Sequence, residues 1–156
     1  MELYLMQHGE ATPGEINPAR PLTERGRAEV LRVARAAHSA GVTVSTIYHS
    51  GKLRAQQTAE IVAEVLRVEQ PPTPRDGLSP NDDPGLVAEA LDSLRPPVIL
   101  VGHLPHMSRL CSLLVVGDPE RHPVKFRMGG IVYLVRDESG VWRVGWMLTP
   151  ELVPAG

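Results

Sequence analysis

The chain starts with an apolar strand that stops at a histidine and a glycine, and this start constrains the fold more than any other feature. Residues 2–6 (ELYLM) have the character of a short buried strand, and Gln7, His8 and Gly9 follow directly. Open α/β sheets bind their ligands outside the carboxyl ends of the strands. Gly9 leaves space there for a backbone turn and for close approach of a bound group. Because a histidine at a strand end is more often structural than catalytic, a site at His8 needs support from the rest of the chain.

Strand and helix patterns alternate along the sequence. Apolar and β-branched runs predict further strands at 44–48 and 98–101, and a short one near Arg75. Helical periodicity predicts helices at about 24–40, 52–66, 84–94 and from Pro105 to about Val115. This order predicts one α/β domain over residues 1–156, with three layers, a mainly parallel central sheet and helices on both faces. Residues 131–135 and 141–147 are expected to add a C-terminal antiparallel hairpin.

Composition excludes several classes of function. A formal net charge of -2 and an aromatic content of 4% provide neither a basic stripe nor an aromatic platform for nucleic acid. No apolar run approaches the roughly 18 residues of a membrane span, and no signal peptide precedes the first strand. We therefore expect a cytoplasmic protein with no membrane partner. Cys111 is the only cysteine, which excludes an internal disulfide and a zinc–thiolate site.

Three of the predicted strands end in polar residues suited to the same ligand. The first strand ends at His8, the second at Ser50 and the central one at His103. Parallel strands point the same way, so these ends can meet in one crevice, with Lys52 and Arg54 from the first turn of the next helix. Two imidazoles, cationic side chains and a helix N-terminus form a site for a dianion. No carboxylate cluster is present to hold Mg²⁺, so we expect no metal and no other cofactor.

Four segments match, in order and spacing, the motifs of a known family. They are residues 5–11 (LMQHGEA), 21–26 (PLTERG), 50–58 (SGKLRAQQT) and 102–105 (GHLP). Together they resemble the histidine phosphatase (phosphoglycerate mutase-like) superfamily, and the resemblance covers nearly the whole chain. The short length and the details of the last two segments look most like the SixA-type phosphohistidine phosphatase branch.

The resemblance implies a two-step phosphoryl transfer through a covalent phosphohistidine. By position, His8 corresponds to the nucleophile, which attacks phosphorus through one ring nitrogen while a backbone group holds the other. His103 corresponds to a cation over the phosphoryl oxygens, and Arg54 to a forked clamp on two of them. Arg20 either reaches the phosphate or lies free on the surface. Ser50 is suited to donate to the anion and to cap the following helix.

Two positions depart from the family pattern. The family has Arg before the nucleophilic histidine, whereas this chain has Gln7 at that position, so a neutral amide would contact the phosphate. Many members also take a general acid Glu from the loop after the third strand, where this chain has Asp82 and Asp83. Either Asp is a candidate proton donor, although Asp83 is also suited to cap the helix that begins at Pro84. Phosphohistidine has a labile P–N bond, for which a weaker acid suffices.

The resemblance therefore predicts a phosphatase that acts on phosphohistidine in a signalling or phosphotransfer protein. Two alternatives stay open. One is a phosphatase of small phosphomonoesters, and the other is a catalytically impaired module that binds a phospho-ligand or phosphoprotein, which Gln7 favours. A metal hydrolase is not supported, because His103 and His106 are spaced i, i+3 with no acidic ligand beside them.

The first testable prediction concerns the missing arginine. Hydrogen bonds to charged groups contribute about 1.5–3 kcal/mol and neutral ones about 0.5–1.5 kcal/mol. Gln7→Arg should therefore raise phosphatase turnover roughly tenfold to thirtyfold, if the difference is felt in the transition state. Steady-state hydrolysis of p-nitrophenyl phosphate measures the change. An unchanged or lower rate in a well-folded variant would show that Gln7 does not stand in for a lost arginine.

Overall fold

A mixed sheet of six strands, with helices on both faces, carries the fold in the computed structural model, which describes residues 1–155. The strands are β1 (Glu2–Gln7), β2 (Thr46–His49), β3 (Thr73–Pro74), β4 (Val98–Gly102), β5 (Ile131–Arg136) and β6 (Trp142–Leu148). The helices are α1 (Glu24–Ser39), α2 (Leu53–Leu66), α3 (Pro84–Ala90) and α4 (His106–Val116), with 3₁₀ turns at Leu91–Ser93 and Pro150–Leu152. Over residues 1–155, no helix has both the length and the apolar character that crossing a membrane requires.

The strand order is β3-β2-β4-β1-β5-β6. β4 pairs in parallel with β1 on one side and with β2 on the other, and β2 pairs in parallel with β3. β5 runs antiparallel to β1, and β6 runs antiparallel to β5. The predicted α/β architecture is confirmed, including the mainly parallel sheet and the C-terminal antiparallel hairpin. Because β1, β4 and β2 are neighbours and parallel, their carboxyl ends lie at the same edge of the sheet.

Each face of the sheet has its own apolar core, because successive side chains of a strand point to opposite faces. Leu3 and Leu5 of β1 belong to one core, together with buried residues of α3 and α4. Tyr4 and Met6 belong to the other, together with buried residues of α1 and α2. A strand covered on both faces reads as a continuous apolar run, which is why β1 was recognisable from sequence.

The third helix is shorter than predicted. α3 ends at Ala90 and a 3₁₀ turn follows at Leu91–Ser93, whereas periodicity predicts a helix to about residue 94. Leu91 and Leu94 are 2% and 5% exposed. A 3₁₀ turn repeats every three residues, so the tighter winding keeps both leucines in the core.

The first helix approaches the backbone that follows β1 unusually closely. Thr23 is the N-cap of α1, and its Oγ1 accepts a hydrogen bond from the Gly26 amide at 2.9 Å. The Thr23 amide donates to the Glu10 carbonyl, also at 2.9 Å. A Cβ atom on Gly26 would overlap that same carbonyl oxygen. Glycine at position 26 therefore lets α1 lie directly against Glu10, two residues beyond His8.

This close approach yields a prediction for stability. Gly26→Ala should lower the free energy of unfolding by about 1–3 kcal/mol through overpacking. That loss exceeds the ~1 kcal/mol by which alanine is the better helix former. Urea unfolding followed by circular dichroism measures the change. The control is His38→Ala on the exposed side of α1, where a change within about 0.5 kcal/mol is expected. A Gly26→Ala variant as stable as the wild type would contradict the tight contact.

Candidate active site

His8 lies just beyond the carboxyl end of β1 and is held there through its backbone. Its amide donates to the Gly102 carbonyl at the end of β4 at 3.0 Å. The Gly129 amide donates to two carbonyls, that of Gln7 at 2.9 Å and that of His8 at 3.2 Å. His8 is only 8% exposed. Two segments distant in sequence therefore fix where this residue stands.

The ring of His8 is fixed in one tautomer. Its Nδ1 lies 2.7 Å from the Gly9 carbonyl oxygen, and since a carbonyl can only accept, Nδ1 must carry the hydrogen. A neutral imidazole has one N–H, so Nε2 keeps a free lone pair. A Cβ atom on Gly9 would lie 2.7 Å from Val30 Cγ2, so glycine permits the close approach of α1 beside His8. This is the arrangement that a nucleophilic ring nitrogen needs.

His103 stands opposite His8, directly after β4. The two ring centroids are 4.9 Å apart and the ring planes are inclined by 53°. His103 is 1% exposed, and its Nε2 lies 2.6 Å from Ser50 Oγ. Ser50 Oγ also accepts from the Lys52 amide at 3.3 Å. The structure thus brings together the ends of β1, β2 and β4, as the sequence predicts.

One expectation for Ser50 is wrong. The N-cap of α2 is Lys52, and no side chain makes a capping hydrogen bond there. The Ser50 hydroxyl makes a hydrogen bond with His103 instead, which directly follows the neighbouring strand β4. The first-turn amides of α2 therefore remain without a side-chain acceptor, beside the two histidines.

Burial keeps both imidazoles uncharged near neutral pH. The pKa of His8 is lowered to about 4, chiefly by desolvation and also by the charges of Arg54 and Arg20. Desolvation lowers the pKa of His103 to about 3, and its neighbours His8, Arg54 and Lys52 act in the same direction. The neutral form suits His8 as a nucleophile. The cationic role predicted for His103 requires the negative charge of a phosphoryl group, which would raise its pKa.

Three cations surround this pair of histidines. Arg54 is half-buried in the first turn of α2, and within residues 1–155 its buried Nε has no hydrogen-bond partner. Arg20 is half-buried, has a left-handed backbone (φ 51°), and donates from Nε to the Thr12 carbonyl at 3.1 Å. Its charge lowers the pKa of both His8 and Arg54, which places it near both. Lys52 is exposed. The arrangement suits a small anion that carries two charges.

Gln7 is about as buried as the neighbouring His8. It is 9% exposed, and its Oε1 is buried with no hydrogen-bond partner among the described residues. An acceptor left unpaired in the protein interior is unfavourable.

The two aspartates predicted as proton donors each accept a backbone hydrogen bond. Asp82 Oδ2 accepts from the Ser79 amide, and Asp83 Oδ1 caps α3 by accepting from the Gly85 amide, each at 2.9 Å. Burial lowers the pKa of His106, a fully buried residue of α4, and the charges of both aspartates oppose this shift. Within residues 1–155, no carboxylate is among the charges that shift the pKa of His8 or His103. The described residues also contain no group of three or more His, Cys, Asp or Glu that could hold a metal ion.

Sequence reasoning missed Thr58 as part of the site. Its hydroxyl accepts from the Gly9 amide at 3.0 Å and donates to the Arg54 carbonyl at 2.8 Å. Thr58 therefore connects the segment that carries His8 with the helix that carries Arg54. Thr58 is the last residue of the motif at 50–58, but the motif alone does not indicate that this hydroxyl connects two segments of the site. Gly129 had no motif, and only the Gly129-Gly130 pair before β5 marked a turn there.

Exposed residues lie next to His103 and Ser50 in the sequence. Leu104, which follows His103, is 41% exposed, and Gly51, which follows Ser50, is exposed as well. A cavity of about 460 Å³ is lined by residues of α1 and α2 and includes none of the residues named above.

Comparison with known proteins agrees with this geometry. Residues 3–79 match the model of the histidine phosphatase superfamily (branch 1), a span that includes His8, Arg20, Ser50 and Arg54. The phosphohistidine phosphatase SixA of Escherichia coli (strain K12) is 30% identical over 155 residues, which are 96% of this chain and 94% of that protein.

Solved structures show the same fold. The structure of the protein histidine phosphatase SixA complexed with tungstate superposes with a TM-score of 0.86 at 29% identity, covering 97% of this chain and 99% of that one. The putative phosphohistidine phosphatase SixA from Agrobacterium tumefaciens gives a TM-score of 0.75 at 26% identity, covering 96% of this chain and 97% of that one.

The lowered pKa values predict how stability depends on pH. In the unfolded chain an imidazole binds its proton near pH 6.5, whereas in the folded protein His8 and His103 do so only near pH 4 and 3. The unfolded state binds more protons in this interval, so the free energy of unfolding should fall as the pH decreases from about 7 towards 4. His103→Gln should reduce that fall. Urea unfolding at several pH values measures it, and an identical pH dependence in variant and wild type would show that His103 is not held neutral.

Proposed function

The chain belongs to the histidine phosphatase superfamily and is similar to SixA, and on that premise we propose that it is a phosphohistidine phosphatase. In this proposal His8 carries the phosphoryl group as a covalent intermediate. The substrate is phosphohistidine in a signalling or phosphotransfer protein, and no metal takes part.

The observation that carries the proposal is the state of the His8 ring. Nδ1 is committed to the Gly9 carbonyl at 2.7 Å, and a pKa of about 4 leaves Nε2 unprotonated at neutral pH. Histidine usually titrates near neutral pH, so much of it would otherwise be protonated and unable to attack. Here the nucleophile is ready without a general base.

The first step transfers the phosphoryl group to His8. The lone pair of Nε2 forms a bond to phosphorus while the bond from phosphorus to the substrate nitrogen breaks, and that nitrogen keeps the electron pair. A substrate imidazole that is protonated on its other nitrogen leaves as a neutral ring. The enzyme then needs to supply no proton, which agrees with the absence of a carboxylate among the described charges that act on His8 and His103.

The second step returns His8 to its starting state. The oxygen of a water molecule bonds to phosphorus while the bond from phosphorus to Nε2 breaks, and the water proton passes to the departing phosphate. Because Nδ1 keeps its hydrogen against the Gly9 carbonyl, His8 also leaves as a neutral imidazole. One hydrogen bond therefore serves both the attack and the release.

Positive charge around the rings would stabilise the transferring group. Arg54 and Arg20 both act on His8, and fixed cations in a partly buried site stabilise charge that develops on phosphoryl oxygens. In the related SixA structure the bound ion is tungstate, a tetrahedral oxyanion like phosphate. In this chain the uncapped first turn of α2, Ser50 and the buried Nε of Arg54 are the groups suited to such an anion.

The leaving group separates this proposal from its alternatives. An alkyl phosphate must expel an alkoxide, and a positioned general acid contributes about 10²–10⁴-fold to such a step. We therefore expect kcat/KM for a phosphohistidine protein to exceed that for an alkyl phosphate by at least about 10²-fold, with p-nitrophenyl phosphate in between. Parallel assays of the three substrates measure the order. Equal values for the alkyl phosphate and the phosphohistidine protein would identify a phosphatase of small phosphomonoesters instead.

The covalent intermediate is tested in the same preparation. Brief incubation with a ³²P-labelled donor should label the wild type, the label should map to His8, and it should be lost in acid but stable in base, as phosphohistidine is. His8→Ala should abolish labelling, whereas the matched control His38→Ala should not. Tight phosphate binding without any label would instead indicate the binding module that Gln7 favours.

A further inference from the structure

Arg127 and Glu29 form an ion pair between segments that are 98 residues apart in sequence. The guanidinium contacts both carboxylate oxygens, with Nη2 at 2.7 Å from Oε2 and Nη1 at 3.4 Å from Oε1. The Glu29 side chain is 8% exposed and that of Arg127 is 28% exposed. We propose that Arg127, through this pair, is a positioning residue that fixes the backbone around His8.

On one side, Arg127 stabilises the turn that holds the carbonyl of His8. Its Nη1 donates to the Met128 carbonyl at 2.6 Å, and the Gly130 amide donates to the Arg127 carbonyl at 2.9 Å. Gly129, in the middle of this turn, has φ 75° and donates to the carbonyls of Gln7 and His8. The direction of the Gly129 amide depends on the conformation of residues 127–130, which the guanidinium clamps.

On the other side, Glu29 belongs to the helix that supports the next residues. α1 contacts the Glu10 backbone at Gly26 and through the Thr23 amide, and Val30 packs against Gly9. Glu29 lies one turn beyond Gly26 on the same helix. The ion pair therefore joins the two supports of the His8 segment, with the turn at 127–130 on one side and α1 on the other.

This connection matters because the His8 ring depends on a carbonyl of the same segment. The 2.7 Å hydrogen bond from Nδ1 to Gly9 requires that the peptide groups on both sides of His8 keep their directions. If the two supports move relative to each other, the Gly9 carbonyl turns away and Nε2 is free to take the hydrogen. The ring would then present the wrong nitrogen to phosphorus.

Arginine suits this position better than lysine. Its planar fork contacts a carboxylate and a carbonyl simultaneously in a fixed geometry, which a single ammonium group cannot reproduce. Arg25 also lies near Glu29, with Nε at 3.6 Å from Oε2. Its side chain is 71% exposed, and within residues 1–155 it makes no hydrogen bond or ion pair with the turn at 127–130. Arg25 therefore provides a matched control that removes a cation from the same carboxylate.

The test compares Arg127→Met and Arg127→Lys with Arg25→Met in the full chain. The first readout is the ring ¹⁵N spectrum of His8 in the NMR experiment, which reports the tautomer without requiring activity. We expect the hydrogen to be on Nδ1 in the wild type and in Arg25→Met, and to be shared between both nitrogens in the Arg127 variants. The second readout rests on the proposed function. The rate constant for phosphorylation of His8 should fall about tenfold in the Arg127 variants, within the range that small misplacements cause, with KM changed by less than about twofold.

The outcomes separate cleanly. A folded Arg127 variant with the wild-type tautomer and the wild-type rate constant would overturn the inference, and so would an unchanged tautomer with a raised KM, which would indicate substrate binding. If Arg127→Met does not fold, because it leaves a buried carboxylate unpaired, then Arg127→Lys and the double variant Glu29→Gln/Arg127→Gln decide. Lack of any turnover in the wild type would contradict the proposed function alone, since the tautomer readout remains decisive for Arg127.

Discussion

A single hydrogen bond, from Nδ1 of His8 to the Gly9 carbonyl at 2.7 Å, determines what this site can do. It selects the tautomer, and burial then keeps the ring neutral, so Nε2 has a free lone pair near neutral pH. Much of the surrounding structure serves to keep that carbonyl in place. The close approach of α1 at Gly26, the hydroxyl of Thr58 and the amide of Gly129 all act on the backbone of the same short segment.

The electrostatics of the site are one-sided. Arg20, Lys52 and Arg54 contribute positive charge to the site. Asp82 and Asp83, the two expected proton donors, instead accept backbone hydrogen bonds in a turn and at the start of α3. Such a site attracts a dianion. In the proposed function, this charge distribution favours a substrate bond that breaks without a proton from the enzyme.

The sequence predicted those parts of the structure that depend on local pattern. Continuous apolar runs identified β1 and β4, and since parallel strands share a direction, His8, Ser50 and His103 could be placed at one edge in advance. Side-chain partnerships over long distances could not be predicted in this way. Ser50 contacts His103 rather than capping α2, and Arg127 pairs with Glu29, which is 98 residues away in sequence. Such contacts could not be predicted because they depend on how the helices pack. The lowered pKa of His103 has the same origin, since it reflects burial that no local pattern displays.

The backbone contacts of His8 also determine when its conformation can form during synthesis of the chain. His8 is synthesised before both of its backbone partners, since its amide donates to the Gly102 carbonyl and its carbonyl accepts from the Gly129 amide. A nascent chain that lacks these residues has the histidine but not the contacts that fix its backbone. The conformation of the His8 segment is therefore completed only after Gly129 has been added to the chain.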